Sequence, residues 1–189
     1  MATDNTFTVG TKTAAMLTGK TIRTIINWVE SGEIKGEATP VSHLPHGQIW
    51  KIDILSLAGH IPTDLTGAFI ESVQKAEVGD AQETTNVATY FYKAGTYQIA
   101  LDWLELAAKR GDADAMTWLW DSYYKGVGVE PSFAIAVKWL GTAAEHGSKI
   151  AITVLEDLRK MNDALREQQK DELKAVYEDI ARLLKPVSP

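Results

Sequence analysis

Residues 95–119, GTYQIALDWLELAAKRGDADAMTWL, and residues 131–155, PSFAIAVKWLGTAAEHGSKIAITVL, are two copies of one pattern. The two copies match at a constant offset of 36 residues. The matching pairs are Thr96 and Ser132, Tyr97 and Phe133, Ala100 and Ala136, Trp103 and Trp139, Ala107 and Ala143, Ala108 and Ala144, Gly111 and Gly147, Ala115 and Ala151, and Leu119 and Leu155. A period of about 35 residues is typical of stacked helix-turn-helix repeats.

Each copy predicts two short helices. Thr96 and Ser132 are residue types that cap helix N-termini, and Gly111 and Gly147 stand where the chain must turn back. Ala100, Trp103 and Ala107 fall on one helical face, where small residues let neighbouring helices approach. Trp103 and Trp139 are therefore predicted to be equivalent buried residues.

A shorter copy precedes these two. Gly79-Asp80-Ala81 matches Gly111-Asp112-Ala113 at an offset of 32, so the loop between its helices is shorter by 36 − 32 = 4 residues. Residues 64–78 are predicted to form an opening helix.

These repeats resemble the Sel-one-like repeat, a relative of the tetratricopeptide repeat, over roughly residues 79–160. The residues that carry the resemblance are Ala115, Leu119, Tyr123, Gly126, Val127, Gly128, Val129, Ala136, Trp139, Ala143, Ala144 and Gly147. The resemblance implies a helical solenoid that binds other proteins and does not catalyse a reaction. Trp120 departs from the family, which usually has Gly there, and is expected either to widen the local packing or to contact a partner.

The C-terminal part has an apolar stripe at helical spacing. Its members are Leu155, Leu158, Leu165, Leu173, Val176, Ile180 and Leu183, and Pro186 ends the pattern. One interpretation is a terminal helix that caps the last repeat, and the alternative is a homodimer seam. Asn162-Asp163 could divide the stretch into two helices.

The first third follows a different plan. A short helix containing Ala14, Ala15 and Leu17 ends at Gly19, and Thr21 caps a second helix that ends at Gly32. A strand over residues 48–52 follows a loop that contains Pro40, His43, Pro45 and His46, and Asp53 then caps a helix with Ile54, Leu55 and Leu57. The pattern indicates a helix-turn-helix followed by a wing of two strands.

This first third resembles the winged helix-turn-helix of the MerR and phage excisionase type over residues 7–60. The resemblance is carried by Ala14, Ala15, Leu17, Gly19, Thr24, Ile25, Trp28, Gly32, Ile52 and Leu55. It implies that the second helix enters the DNA major groove, with Thr21, Arg23, Ile26 and Asn27 toward the bases. Lys20, Lys35, His46 and Lys51 would then meet phosphates. Ile26, Asn27 and Glu30 depart from positions that are often basic or polar in the family, and Lys20 from one that is commonly apolar.

The charge is unevenly distributed along the chain. Residues 1–62 hold five basic and five acidic groups, and residues 63–189 hold 14 basic and 20 acidic ones, which accounts for the net charge of −6. Contact with nucleic acid is therefore expected only from the first third, and with little gain from counterion release.

Several kinds of chemistry are not expected. The chain has no cysteine, which excludes disulfides and thiolate metal sites, and its four histidines lack zinc-binding spacing. The sequence Gly126-Val127-Gly128 lacks the Lys-Ser of a phosphate loop. Apolar runs are far too short to span a membrane, and no secretory leader pattern is visible. We expect a cytoplasmic protein without enzyme activity, cofactor or metal.

The sequence therefore predicts a mostly α protein with a winged helix-turn-helix domain at residues 1–62 and a helical-repeat domain with a capping helix at residues 63–189. The predicted function is a DNA-binding regulator that recruits a protein partner through its repeats. The alternative is a protein adaptor whose winged domain no longer binds DNA. The predicted DNA-binding residues are Lys20, Thr21, Arg23, Asn27, Lys35, His46 and Lys51, and the predicted protein-binding residues are Tyr92, Trp118, Trp120, Tyr124 and Lys125.

Overall fold

The computed structural model describes residues 7–40 and 48–183, with side chains for all of these except residues 48 and 181–183. The N-terminal elements are β1 (Thr8–Gly10), α1 (Thr11–Thr18), α2 (Ile22–Glu30), β2 (Gly36–Pro40), β3 (Gln48–Asp53) and a 3₁₀ helix (Ile54–Leu57). They are followed by α3 (Gly67–Glu77), α4 (Ala81–Lys93), α5 (Tyr97–Lys109), α6 (Ala113–Lys125), α7 (Phe133–Glu145) and α8 (Lys149–Leu183). The described chain is thus mostly helical, as the sequence predicts.

The first two helices are separated where the sequence predicts, and α2 ends at Glu30, two residues before the predicted Gly32. Gly19 ends α1 with a positive φ of 65°, and the Thr21 side chain caps α2 by accepting a hydrogen bond from the Thr24 N–H at 3.1 Å. The strands form one antiparallel sheet in the order β1-β3-β2, with Val9 opposite Ile52 and Glu37 opposite Lys51. The predicted final helix is a 3₁₀ helix capped by Asp53.

Helices α4, α5, α6 and α7 form two helical hairpins, and each of the four has 13 residues. Residues 94–96 join α4 to α5, and residues 126–132 join α6 to α7, so the second loop is longer by the predicted four residues. Helix α3 occupies the place predicted for an opening helix. A solenoid of helical hairpins is therefore confirmed.

Neighbouring repeats are joined by the same kind of hydrogen bond. Thr85 Oγ1 of α4 donates to Asp112 Oδ1 at the start of α6, at 2.9 Å. Thirty-two residues later, Thr117 Oγ1 of α6 lies 2.9 Å from Ser148 Oγ. Asp112 and Ser148 are 36 residues apart, so the contact repeats with the sequence pattern.

One predicted cap is wrong. Asp80, Asp112 and Ser132 accept hydrogen bonds from backbone N–H groups of the helices they precede. Thr96 instead has φ −90° and ψ 63°, and its hydroxyl donates to the Phe91 carbonyl at 3.1 Å. The tight turn of residues 94–96 directs this hydroxyl back to α4.

The equivalence of Trp103 and Trp139 holds for their helical positions but not for their burial. Trp103 is 1% exposed because α5 packs against both α4 and α6. Trp139 is only partly buried, since α7 packs mainly on α6 within residues 1–148. The prediction that both tryptophans are buried is therefore wrong. Of the two, only Trp103 is a core residue.

The chain divides into two compact units, residues 1–148 and 149–189. The second unit holds α8, a continuous helix of 35 residues, so the suggested break at Asn162-Asp163 is wrong. The apolar stripe of α8 is exposed at Leu158, Leu165, Leu173, Val176 and Ile180. Among the described helices, α8 included, none combines the length and apolar character that a bilayer crossing needs.

Candidate interaction surface

The described residues contain a cluster of three partly exposed aromatic rings at the junction of α4, α5 and α6. The Tyr92 ring lies 5.0 Å from the Tyr97 ring and 4.9 Å from the Trp118 ring, measured between centroids. Tyr92 and Trp118 are half-buried and Tyr97 is 39% exposed. We call Tyr92, Tyr97 and Trp118 the aromatic surface. Its rings are held by three helices and still present apolar area to solvent.

An ion pair flanks the aromatic surface. Lys125 Nζ lies 2.7 Å from Asp121 Oδ1 on α6, and the hydrogen bond to Asp121 raises the pKa of Lys125 above its ordinary value. Burial raises the pKa of the Tyr92 hydroxyl, and the Asp121 carboxylate adds to this effect while Lys125 opposes it. Tyr92 therefore stays neutral at physiological pH, with an O–H available as donor.

The loop of residues 126–132 supports the same surface. Gly128 has a φ of +75°, and a Cβ placed on it would lie 2.6 Å from Tyr97 Cβ and 3.0 Å from Leu101 Cδ1. Only glycine allows the loop backbone to approach α5 this closely. The longer loop of the second hairpin thus fixes the position of Tyr97.

The predicted protein-binding residues separate into two groups. Trp118 and Trp120 are two residues apart and so project about 200° apart around α6. Trp120 stacks on Tyr124, with 6.3 Å between ring centroids, on the other side of the buried face of α6. The structure therefore brings Tyr92, Trp118 and Lys125 together and places Trp120 and Tyr124 elsewhere.

Tyr97 was absent from the predicted protein-binding set. Its match with Phe133 at an offset of 36 made it a member of the repeat pattern rather than a surplus aromatic. Phe133 is 67% exposed, so this position lies on the surface in both copies. The sequence signal for Tyr97 was therefore an aromatic residue at a repeat position that faces solvent.

The residues predicted to face DNA lie on or near α2. Arg23 and Asn27 are exposed on one face of this helix, and Ile26 beside Arg23 is half-buried. Thr21 is occupied as the helix cap. Arg23 and Ile26 also line a cleft of about 580 Å³ with Lys12, Glu30 and Trp50. The exposed face of α2 thus carries one cation, one amide and one carboxylate.

The residues predicted to meet phosphates are dispersed. Lys20, Lys35 and Lys51 are exposed, but Lys51 lies directly opposite Glu37 in the β2–β3 ladder, which offsets its charge. His46 lies outside the described residues. Over the residues with described side chains, no group of three or more His, Asp or Glu is placed to hold a metal ion.

Comparisons with known proteins give partial similarity only. No family model matches this chain, and no curated protein matches it. The crystal structure of a Sel1 repeat protein from Oxalobacter formigenes is 26% identical over 44% of this chain and 36% of its own, with a TM-score of 0.41. The crystal structure of c5321, a protective antigen present in uropathogenic Escherichia coli strains that displays an SLR fold, is 25% identical over 52% of this chain and 22% of its own, with a TM-score of 0.44. The matched part thus spans about a third and about a fifth of those proteins.

Proposed function

We propose that this chain is a non-enzymatic protein–protein adaptor that holds its partner at the aromatic surface. The observation that carries the proposal is the cluster of Tyr92, Tyr97 and Trp118, three rings in contact that remain partly exposed. Aromatic anchors held by packed helices offer large contact area at a small cost in conformational entropy. The resemblance of the repeats to the Sel-one-like family implies the same role.

The chemistry of the surface favours a particular kind of guest. The rings suit an apolar or aromatic side chain, the Tyr92 hydroxyl donates a hydrogen bond, and the Asp121–Lys125 pair can exchange its partners for charges on the guest. An exposed peptide segment with one apolar anchor next to a charged residue meets these requirements.

The test compares captured proteins between the wild-type chain and two variants, with quantitative mass spectrometry as the readout. Trp118→Ala removes a ring of the aromatic surface, while Trp120→Ala removes the same side chain from the other side of α6. We expect specific partners to be lost with Trp118→Ala and retained with Trp120→Ala. A partner that binds both variants and the wild type equally places the interaction elsewhere.

A further variant guards against loss of structure. Lys125→Glu leaves all three rings in place and reverses one exposed charge beside them. It should change the affinity for the same partner, to a weaker one for an acidic residue on the guest and a tighter one for a basic residue, with an unchanged circular dichroism spectrum. The purified partner can then be titrated against each variant by calorimetry.

DNA binding by residues 1–62, as a winged helix-turn-helix, is the second candidate function. The observation that favours it is the exposure of Arg23 and Asn27 on one face of α2, at positions that the resemblance assigns to the major groove. Arg and Asn are the side chains that read guanine and adenine edges. The zero net charge of this segment makes the electrostatic contribution small.

Selection from a random duplex library, followed by fluorescence anisotropy, tests this candidate on the full chain. Arg23→Ala should weaken binding to the selected sequence by about 1 to 3 kcal/mol, as expected for loss of a bidentate base contact. Lys20→Ala should weaken binding to the selected duplex and to random duplexes by the same factor. DNA binding is rejected if the selection enriches no sequence. The role of Arg23 is rejected if Arg23→Ala binds the selected sequence as tightly as the wild-type chain does.

A further inference from the structure

The exposed apolar stripe of α8 has a spacing that a second helix can use. From Leu155 the positions follow at steps of 3, 4, 3, 4, 4, 3 and 4 residues, within a single continuous helix. We call this row the seam, and its members are Leu155, Leu158, Asn162, Leu165, Gln169, Leu173, Val176 and Ile180. Alternating steps of three and four residues are typical of coiled coils, and the one repeated step of four at Gln169 is a stutter. The row covers 26 residues, with about 38 Å of helix between Leu155 and Ile180.

Two amides interrupt the apolar seam at defined places. Asn162 and Gln169 are exposed, as are the apolar members from Leu158 to Ile180. An amide group has both donor and acceptor atoms, so each of these side chains can pair with a second copy of itself. A parallel pair of α8 helices in register places Asn162 against Asn162 and Gln169 against Gln169.

An antiparallel pair does not match the whole seam. Antiparallel helices centred on Gln169 place Asn162 against Val176, which leaves the Asn162 amide without a hydrogen-bond partner. Antiparallel helices shifted to place Asn162 against Gln169 instead bring Leu165 opposite Arg166. The parallel, in-register pair matches every member of the seam with another member, and it is therefore favoured.

We propose that α8 is a parallel, in-register homodimerisation helix in which the seam meets the seam of a second copy of this chain. Asn162 and Gln169 set the orientation, and the leucines, Val176 and Ile180 supply the buried apolar area. The adaptor then presents two aromatic surfaces per assembly, so that a partner with two copies of its motif binds with higher avidity.

Sedimentation equilibrium on the full chain measures the association. We expect a mass twice the 20.8 kDa of the chain. Leu165→Asp should return the chain to monomer, because it places a charge in the seam, while Ala164→Asp introduces the same residue outside the seam and should leave the dimer intact. A wild-type monomer, or a mass of three or more copies, overturns the proposal.

Single cysteines determine the orientation, since the natural chain has none. Under oxidised glutathione, Gln169→Cys can form a disulfide in either orientation. Leu165→Cys can do so in a parallel pair but not in antiparallel helices centred on residue 169, which separate the two Cα atoms along the axis by about 12 Å. Antiparallel helices that place residue 162 opposite residue 169 would cross-link Leu165→Cys and not Gln169→Cys. Cross-linking of both variants therefore supports the proposal, and cross-linking of either variant alone identifies an antiparallel dimer and overturns it.

Discussion

At the residue scale, burial and not residue type decides which side chains hold the repeats together. Trp103 is enclosed by α4, α5 and α6, and its Nε1 has no hydrogen-bond partner among the described residues. Trp139 occupies the matching position of the next repeat but is only partly buried. The contribution of Trp103 is therefore one of volume and apolar area.

Trp103→Ala should lower the free energy of unfolding by about 3 to 5 kcal/mol, as expected for a large cavity in a packed core. Trp139→Ala should cost clearly less, because part of its ring already contacts water. Urea unfolding followed by circular dichroism measures both. Equal losses for the two variants would contradict the difference in burial.

The contribution of Glu83 to the free energy of unfolding depends on pH. Hydrogen bonds from Asn86 and Ser72 lower the pKa of the Glu83 carboxyl, so its stabilising effect is present above the unfolded-state pKa and is lost as the pH falls through the folded-state pKa. Asn86→Ala should reduce the loss of stability between about pH 6 and about pH 3. Unfolding in urea at both pH values gives the comparison, and Thr89→Ala on the same helix serves as control. An unchanged difference in Asn86→Ala would exclude this role of the amide.

At the element scale, the caps and loops of the two hairpins determine how the repeats stack. Asp80 and Asp112 cap α4 and α6 in the same way, but Asp112 also accepts the hydrogen bond from Thr85 of the preceding repeat. Asp112 therefore acts both within its helix and between repeats.

Asp80→Ala should cost about 1 kcal/mol for the lost cap, and Asp112→Ala should cost about 1 kcal/mol more for the lost contact between repeats. Thermal or urea unfolding measures the two. The combination of Asp112→Ala with Thr85→Ala separates the contributions, because the second change should have little further effect once Asp112 is absent. Additive losses in the double variant would show that the two side chains act independently.

Two glycines of the second hairpin should respond oppositely to alanine. Gly128→Ala forces a Cβ against Tyr97 at a positive φ and should destabilise the chain by more than about 1 kcal/mol. Gly141 lies within α7 with open space around its Cα, so Gly141→Ala should stabilise by up to about 1 kcal/mol. Denaturation midpoints measure both shifts. A neutral Gly128→Ala would mean that the loop can move away from α5.

At the scale of the whole molecule, the N-terminal elements and the repeats share one compact unit of residues 1–148. Helix α1 packs on α5, the Gly10 N–H donates to Glu77 Oε1 at 2.9 Å, and a Cβ on Gly19 would lie 3.0 Å from Ile99 Cδ1. A domain boundary near residue 62 stays a prediction. The contacts between the segments on either side of it make the prediction testable by unfolding.

The unit of residues 1–148 should unfold in one cooperative transition, because the contacts of α1 with α5 couple its two parts. Ile99→Asp, which places a charge in that contact, should separate the transition into two. Calorimetry of the chain ending at Ser148 provides the measurement. Two transitions in the unaltered sequence would instead support independent domains on either side of residue 62.

The sequence by itself determined the repeats, the four-residue difference between loops, three of the four predicted caps at helix starts and the glycines that end α1, α5 and α7. These features depend on residues within a few positions of one another, where side-chain and backbone hydrogen bonds are made locally. The spacing of 32 and 36 residues was sufficient to place α3 to α7 in order.

Only the tertiary structure decided how each repeated position is used. The full burial of Trp103 and the partial burial of Trp139 depend on which helices pack beside each residue, and the local pattern does not encode these contacts. The separation of Trp118 from Trp120, and the contact of Gly128 with Tyr97, likewise depend on where distant segments lie. A repeat pattern specifies equal backbone conformations, whereas the environment of each copy depends on its neighbours along the solenoid.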